Sequence, residues 1–260
     1  MPLFNFLFEV PLFLGLIIFV SIVVSLGMLI YFLAYRLMAS TLTKEHERAG
    51  RTLFRTSAGL LALILSFTFA NDRVLYYQIK DSLISEATQL VDMYMDLREY
   101  GTPEAEKINL EILSYIDSVV EDGWVPVQGK PFAVGSLTEF RNIYRGINDL
   151  EPTTEKQRNL LRNLLVDLDG LSDNMQVRVY QTNNDIEYVL YILLFGLIVI
   201  MMLFGVYKPD KVKVLFLSLY SGFIATIVFF MLIMSQPMKG PLQIKPEPFI
   251  ILKEAIDSRQ

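Results

Sequence analysis

Residues Leu53–Ala70 read LFRTSAGLLALILSFTFA, eighteen residues with a single charge, Arg55, near one end. Three other stretches carry no charge at all: Val10–Tyr35 with 26 residues, Tyr188–Tyr207 with 20 and Val214–Met234 with 21. Crossing the hydrocarbon core of a bilayer takes about 20 apolar residues, each rising about 1.5 Å along a helix. Hydrocarbon offers no partner to backbone N–H and C=O groups, so each run must satisfy them internally and be helical. The expectation is an all-α integral membrane protein of the cell (inner) membrane. It has four transmembrane helices and a helical-bundle domain inserted between the second and third.

Composition agrees. Of 260 residues, 53% are hydrophobic and the mean hydropathy is +0.40, uncommon for a soluble globule. The first run is no cleavable signal peptide: no basic segment precedes it, Glu9 stands at its start, and it is too long. The absence of cysteine excludes disulfides, zinc thiolate sites, iron–sulfur clusters and thiol catalysis. A net charge of −5, with acids concentrated in the middle of the chain, argues against a nucleic-acid partner. The chain holds no phosphate-binding glycine loop, no paired metal-ligand motif and no nucleophile elbow, so neither an enzyme nor a cofactor is expected. His46, among Lys44, Glu45 and Glu47, reads as a solvated surface residue, and Trp124 as a packing anchor.

The runs divide the chain into a first transmembrane pair (1–77), a polar helical domain (78–187), a second transmembrane pair (188–235) and a tail (236–260). In the polar domain, Ile79, Leu83, Ala87, Leu90, Val91 and Tyr94 recur at three- and four-residue spacing, one apolar stripe of a helix. Thr102-Pro103-Glu104 is an N-cap, a proline at the first helical position and an acid in the first turn. Ala105, Ile108, Ile112, Ile116 and Val119 follow as a second stripe. Residues 122–131 are a turn-rich break, Ser136-Leu-Thr-Glu139 is a capping box opening a short helix, and Glu151-Pro152-Thr-Thr154 starts another. Leu161, Leu164, Leu165, Leu168, Leu171 and Met175 form the last stripe, on a helix that runs towards the third span unless Gly170 interrupts it. No alternating strand pattern appears. The domain should be an antiparallel bundle, its first and last helices continuous with membrane helices.

Several residues are candidates for function. Ala58, Ala62, Ser66 and Ala70 give the second membrane helix a face of small side chains, which lets backbones approach closely. That face either packs on a neighbouring helix or surrounds the axis of an oligomer and lines a pore, with Thr68 and Asn71 at its mouth. Asn71-Asp72-Arg73 ends the helix. An interfacial Asp72–Arg73 pair anchoring that end is one reading, a functional intramembrane charge the other. Arg55 can snorkel to the opposite interface. Glu86 reads as a solvated position beside the Ile79/Leu83/Leu90 stripe.

Three stretches resemble the bestrophin-like domain-of-unknown-function family of bacterial multi-pass membrane proteins. They are Gly59–Ala70 followed by Arg73; Ser85-Glu-Ala87; and Ser235-Gln-Pro-Met-Lys-Gly240 followed by Lys245-Pro-Glu-Pro-Phe249. The family's usual form in the last is approximately Asp-Arg-Pro-Phe-x-Gly; Pro237 and Gly240 match it, whereas Ser235, Gln236 and Met238 do not. The resemblance implies a homo-oligomeric anion channel with the second helix at the pore, and makes Asp72, Arg73, Glu86, Pro237 and Gly240 structural or gating candidates. No dense acidic run like the bestrophin calcium clasp is present. A non-conducting sensor or scaffold with an extracytoplasmic helical domain fits the same plan.

Charge sets an orientation. The first inter-helix loop carries Arg36, Lys44, Arg48, Arg51 and Arg55 against Glu45 and Glu47, and the third carries Lys208, Lys211 and Lys213 against Asp210. Short basic loops stay cytoplasmic, which puts both termini and the middle domain outside; the bestrophin resemblance implies the reverse. Cysteines introduced singly at Thr43 and Gly129 test the charge rule. An impermeant thiol reagent on intact cells should label position 129 and spare 43; the opposite pattern inverts the topology.

Overall fold

The structure, a computed structural model, describes residues 6–121, 134–180 and 187–257. Its regular elements are all helices: α1 (Phe6–Glu9), α2 (Leu12–Met38), α3 (Lys44–Tyr100), α4 (Pro103–Glu121), α5 (Val134–Asn148), α6 (Glu155–Tyr180), α7 (Glu187–Phe204), α8 (Lys211–Met234) and α9 (Glu247–Asp257). They fall into two compact units. A membrane unit takes the described parts of Met1–Val74, Asp185–Gln236 and Gly240–Leu242; a polar unit takes those of Leu75–Asn184, Pro237–Lys239 and Gln243–Gln260.

In the membrane unit, α2, α3 and α8 are long and apolar enough to cross a bilayer, and α7 carries a shorter apolar stretch, Tyr191–Phe204. Phe19, Val23, Leu61, Leu65, Leu197, Met201, Ile224 and Phe229 share its core. Helices in lipid gain nothing from hiding apolar surface from water, so close packing has to hold them. Glycines make that approach possible. A Cβ at Gly196 of α7 would lie 2.9 Å from Leu61 of α3, and one at Gly205 2.6 Å from Cβ of Ala34 on α2. The outward residues are as apolar as the inward ones: Phe13, Phe67, Phe195 and Phe223 are 78%, 70%, 67% and 66% exposed. Such a surface suits hydrocarbon, not water.

Asp210 caps α8, its carboxylate accepting from the backbone N–H of Val212 and Lys213 at 3.0 and 2.9 Å. Tyr31 is fully buried and donates its hydroxyl to the Tyr207 carbonyl at 3.2 Å. The Tyr207 hydroxyl in turn donates to the Glu47 carbonyl at 3.4 Å, and Gly50 abuts Val206. The two short basic loops therefore sit together at one end of this unit.

The polar unit is built on the stripes read from sequence, with corrections at their margins. Ile79, Leu83, Ala87, Leu90 and Tyr94 are buried, but Val91 is 36% exposed, one step of about 100° off the stripe. On α6, Leu164, Leu168, Leu171 and Met175 are buried; Leu165 is turned out, and Leu160 takes the place expected of Leu161. The Ala105/Ile108/Ile112/Ile116/Val119 stripe of α4 is buried throughout. Pro103 opens α4, and Thr102 Oγ1 accepts the Ala105 N–H at 3.3 Å. Ser136-Leu-Thr-Glu139 lies in the first described turns of α5, whose described residues begin at Val134. Helix α6 starts at Glu155, directly after the Glu151-Pro152-Thr-Thr154 stretch: Thr154 Oγ1 accepts the Gln157 N–H at 3.2 Å, and Gln157 Oε1 accepts the Thr154 N–H at 3.2 Å. Gly170 does not interrupt α6, and the side chain of Gln89 fills the space a Cβ would need. The expected break at 122–131, Trp124, and the passage from α6 to α7 lie outside the described residues.

As the sequence outline expects, one unbroken helix, α3, carries both the Leu53–Ala70 run and the first stripe of the polar unit. The tail departs from that outline: it contains α9, whose Phe249, Leu252 and Ile256, with Ile244 before it, belong to the polar core. Lys253 of α9 pairs with Asp117 of α4 at 2.5 Å.

Before α9 the chain turns at Gly240, with φ +83°, and a Cβ there would meet Phe8 Cδ1 at 2.8 Å. Left-handed backbone and close approach together demand glycine. Gly240→Ala should cost about 1–3 kcal/mol and lower the melting temperature in detergent. Gly222→Ala is the control, because its Cβ would meet only Val20 and Val24, at 3.7 Å, and should leave the melt unchanged or raised.

Candidate functional site

The small face of α3 is open. Ala62, Ser66 and Ala70 are exposed and Ala58 is half-buried, while Leu61 and Leu65 of the same helix are packed into the membrane unit. Among the described residues, no atom beyond its own stretch of helix lies within 4 Å of where a Gly59 Cβ would stand. Ala62, Ser66 and Ala70 are therefore left open among the described residues, Ala58 packs partly against the core, and Leu61 and Leu65 make the main contacts. Of the most apolar window of α3, 11% is buried, against 50% for that of α8.

The hydroxyls on this helix serve its own backbone. Ser66 Oγ donates to the Ala62 carbonyl and Thr68 Oγ1 to the Ile64 carbonyl, both at 2.8 Å. Such bonds satisfy a hydroxyl where water is scarce. They also commit its proton, so Ser66 as it stands presents lone pairs rather than the free donor an anion wants. Asn71 and Arg73 are exposed, but Asp72 is turned inward, 6% exposed, with Oδ2 lacking a hydrogen-bond partner among the described residues. The expected water-washed Asp72–Arg73 pair is therefore not what this helix end presents. Successive helical residues point about 100° apart, and only Asp72 faces the unit.

A second group of residues sits in the polar unit. Glu86, expected to be solvated, is fully buried. Arg178 of α6 grips it with two bonds, Nε to Oε2 at 3.0 Å and Nη2 to Oε1 at 3.1 Å. Tyr115 of α4 closes the triangle, donating its hydroxyl to Glu86 Oε1 and accepting from Arg178 Nη2 at 3.2 Å. Burial and the carboxylate push the Tyr115 phenol well above its usual pKa, which keeps it a proton donor. Burial pulls Arg178 down, but Glu86 and Tyr115 outweigh it and the net shift is upward. The sequence held a signal for this triangle. Glu86 is three residues after Leu83 and four before Leu90; Tyr115 stands likewise between Ile112 and Val119; Arg178 continues Leu168, Leu171 and Met175. Polar residues in register with an apolar stripe are candidates for burial in pairs.

The third group is the turn after α8. Ser235 closes that helix, its Oγ donating to the Leu232 carbonyl at 2.7 Å. Pro237 is buried, and its carbonyl accepts the Ile244 N–H at 2.7 Å. Met238 packs against the polar core. The described residues contain no group of three or more His, Asp or Glu side chains placed to hold a metal.

Comparison with family models matches residues 21–249 to the bestrophin-like domain. The chain belongs to the bestrophin-like family. No curated protein and no solved structure matches it. The match spans the open face of α3, the buried triangle and the Pro237–Gly240 turn, so all three are parts of one bestrophin-like domain. Membership and the apolar outer surface make this a membrane protein.

In this bestrophin-like domain the triangle ties α3, α4 and α6 together, and its energetics are lopsided. Removing one member strands a buried charge, at about 3–5 kcal/mol, whereas replacing both charges with apolar groups is often neutral. Arg178→Met and Glu86→Leu should each destabilise the purified protein by about that much in chemical denaturation, and the double variant should regain most of the loss. Additive losses in the double variant would mean that the two side chains do not act as a pair.

Proposed function

We propose that the protein is a four-span, homo-oligomeric anion channel in which the small face of α3 turns towards the axis of the assembly. The observation that carries this reading is the bareness of α3: Leu61 and Leu65 alone of its leucines in the apolar run are packed, while Ala62, Ser66 and Ala70 are open beside the exposed Leu60, Leu63 and Phe67. Large side chains already fill the contact inside the chain. Small ones are left where copies of α3 would come close, or where a permeating ion needs width. Membership of the bestrophin-like family supports the same direction. The apolar stretch of α7 supplies the fourth span in this reading, and no catalytic step is assigned.

Both short loops lie in the cytoplasm in this proposal, with the polar unit and both termini outside. Their adjacency through Tyr207, Glu47, Gly50 and Val206 supports a common side. The span holds no ring of fixed positive charge. Ser66 would have to turn away from the Ala62 carbonyl before it donated to an anion. Selectivity therefore falls to backbone dipoles, to pore width, and to Arg73 at the mouth.

Single-channel recording in planar bilayers, with chloride and a large organic anion compared, tests the proposal. Wild-type protein should pass chloride. Ser66→Glu should suppress the anion current by repulsion, and Ala62→Phe should narrow the path for any ion. Ala62→Leu should shift oligomer towards monomer in detergent, since overpacking a tight contact costs about 1–3 kcal/mol. Silence from a well-folded oligomer across voltage, pH and calcium would favour a non-conducting sensor or scaffold instead.

A further inference from the structure

An open cleft of about 560 Å³ lies wholly within the polar unit, between the Tyr76–Ile84 turns of α3 and the segment that enters α9. Its size falls among small-molecule sites, about 300–1,000 Å³. The lining has two chemistries. Ile84 and Ile251 present apolar surface to it and are 47% and 64% exposed. Lys80 and Lys245 line the same space. Neither lysine side chain has a hydrogen bond or ion pair among the described residues. One carboxylate, Glu247 in the first turn of α9, completes the charged lining.

Each feature restricts the ligand. Two cations ask for a group with more than one anionic oxygen, as phosphate has. A lone carboxylate beside them disfavours a wholly anionic head and suits one that also carries an N–H cation. Isoleucine walls ask for aliphatic chain attached to that head. On α3, Tyr76 and Lys80 follow the end of the apolar run at Ala70 by six and ten residues, and Tyr76 and Tyr77 form an aromatic pair there. Tyrosine at that position is the usual mark of the headgroup level of a bilayer. We propose that this cleft binds a phospholipid with a primary-ammonium head. Lys80 and Lys245 hold its phosphate, Glu247 its ammonium, and Ile84 and Ile251 its first methylenes. The proposal stands whether or not the protein conducts ions.

The full chain, purified into nanodiscs of equal parts phosphatidylethanolamine, phosphatidylglycerol and phosphatidylcholine and then released, is read by native mass spectrometry for retained lipid. Phosphatidylethanolamine should be retained above both others. Lys80→Gln with Lys245→Gln, both at exposed positions, should reduce that retention roughly tenfold, with the oligomer mass and helical content unchanged. Glu247→Gln should abolish the preference for phosphatidylethanolamine over phosphatidylglycerol. Soluble phosphoethanolamine, which lacks the aliphatic chain, should fail to displace the lipid at equal concentration. Retention undiminished in the double lysine variant, equal retention of phosphatidylcholine, or displacement by free phosphoethanolamine would each overturn the assignment.

Discussion

Hydrocarbon gives a peptide group nothing to bond to, and the membrane unit follows from that constraint. Its described backbone is helical through the apolar runs except at the ends Val10–Pro11 and Gly205–Tyr207, and its hydroxyls fold back on carbonyls one turn earlier, as Ser66, Thr68 and Thr226 do. The same solvent removes the usual reason for apolar side chains to cluster. What remains is contact, and contact is closest where glycine stands opposite a larger side chain: Gly27 beside Met201, Gly196 beside Leu61, Gly205 beside Ala34. The buried Tyr31 hydroxyl, bonded to the Tyr207 carbonyl, obeys the rule that a sequestered donor needs its acceptor close by.

The polar unit answers to a different solvent. Its apolar stripes converge because water expels them, and α9 joins them because Phe249, Leu252 and Ile256 repeat at helical spacing. Within that core the Glu86–Arg178–Tyr115 triangle is an expensive object. Two charges leave water, and only a bidentate, fully bonded geometry offsets the loss. Because its three members come from α3, α4 and α6, a slip of any of these helices by one residue would break it. We regard it as a register lock for the bundle.

Helix α3 serves both environments. Its first half offers a face of small side chains that the chain itself leaves open. Its second half supplies Glu86 to the triangle and Tyr76, Lys80 and Ile84 to the cleft. The proposed pore, the buried ion pair and the lipid cleft therefore share one element.

Solvent preference was written in the sequence by itself. Charge-free runs fixed where membrane helices would form, and three- and four-residue spacing fixed the stripes of the polar unit, because both signals depend only on side chains near each other along one helix. Family membership was legible in short stretches such as Gly59–Ala70 and Pro237–Gly240. Tertiary structure alone decided what depends on distant parts of the chain. It determined that the small face of α3 is left open while Leu61 and Leu65 make the contacts, that Glu86 turns inward to an arginine 92 residues away, and that the tail supplies a core helix. Lys80 and Lys245 share a cleft for the same reason. Partners so far apart in sequence leave no periodic trace, and the burial of a charge is settled only when its counter-charge arrives.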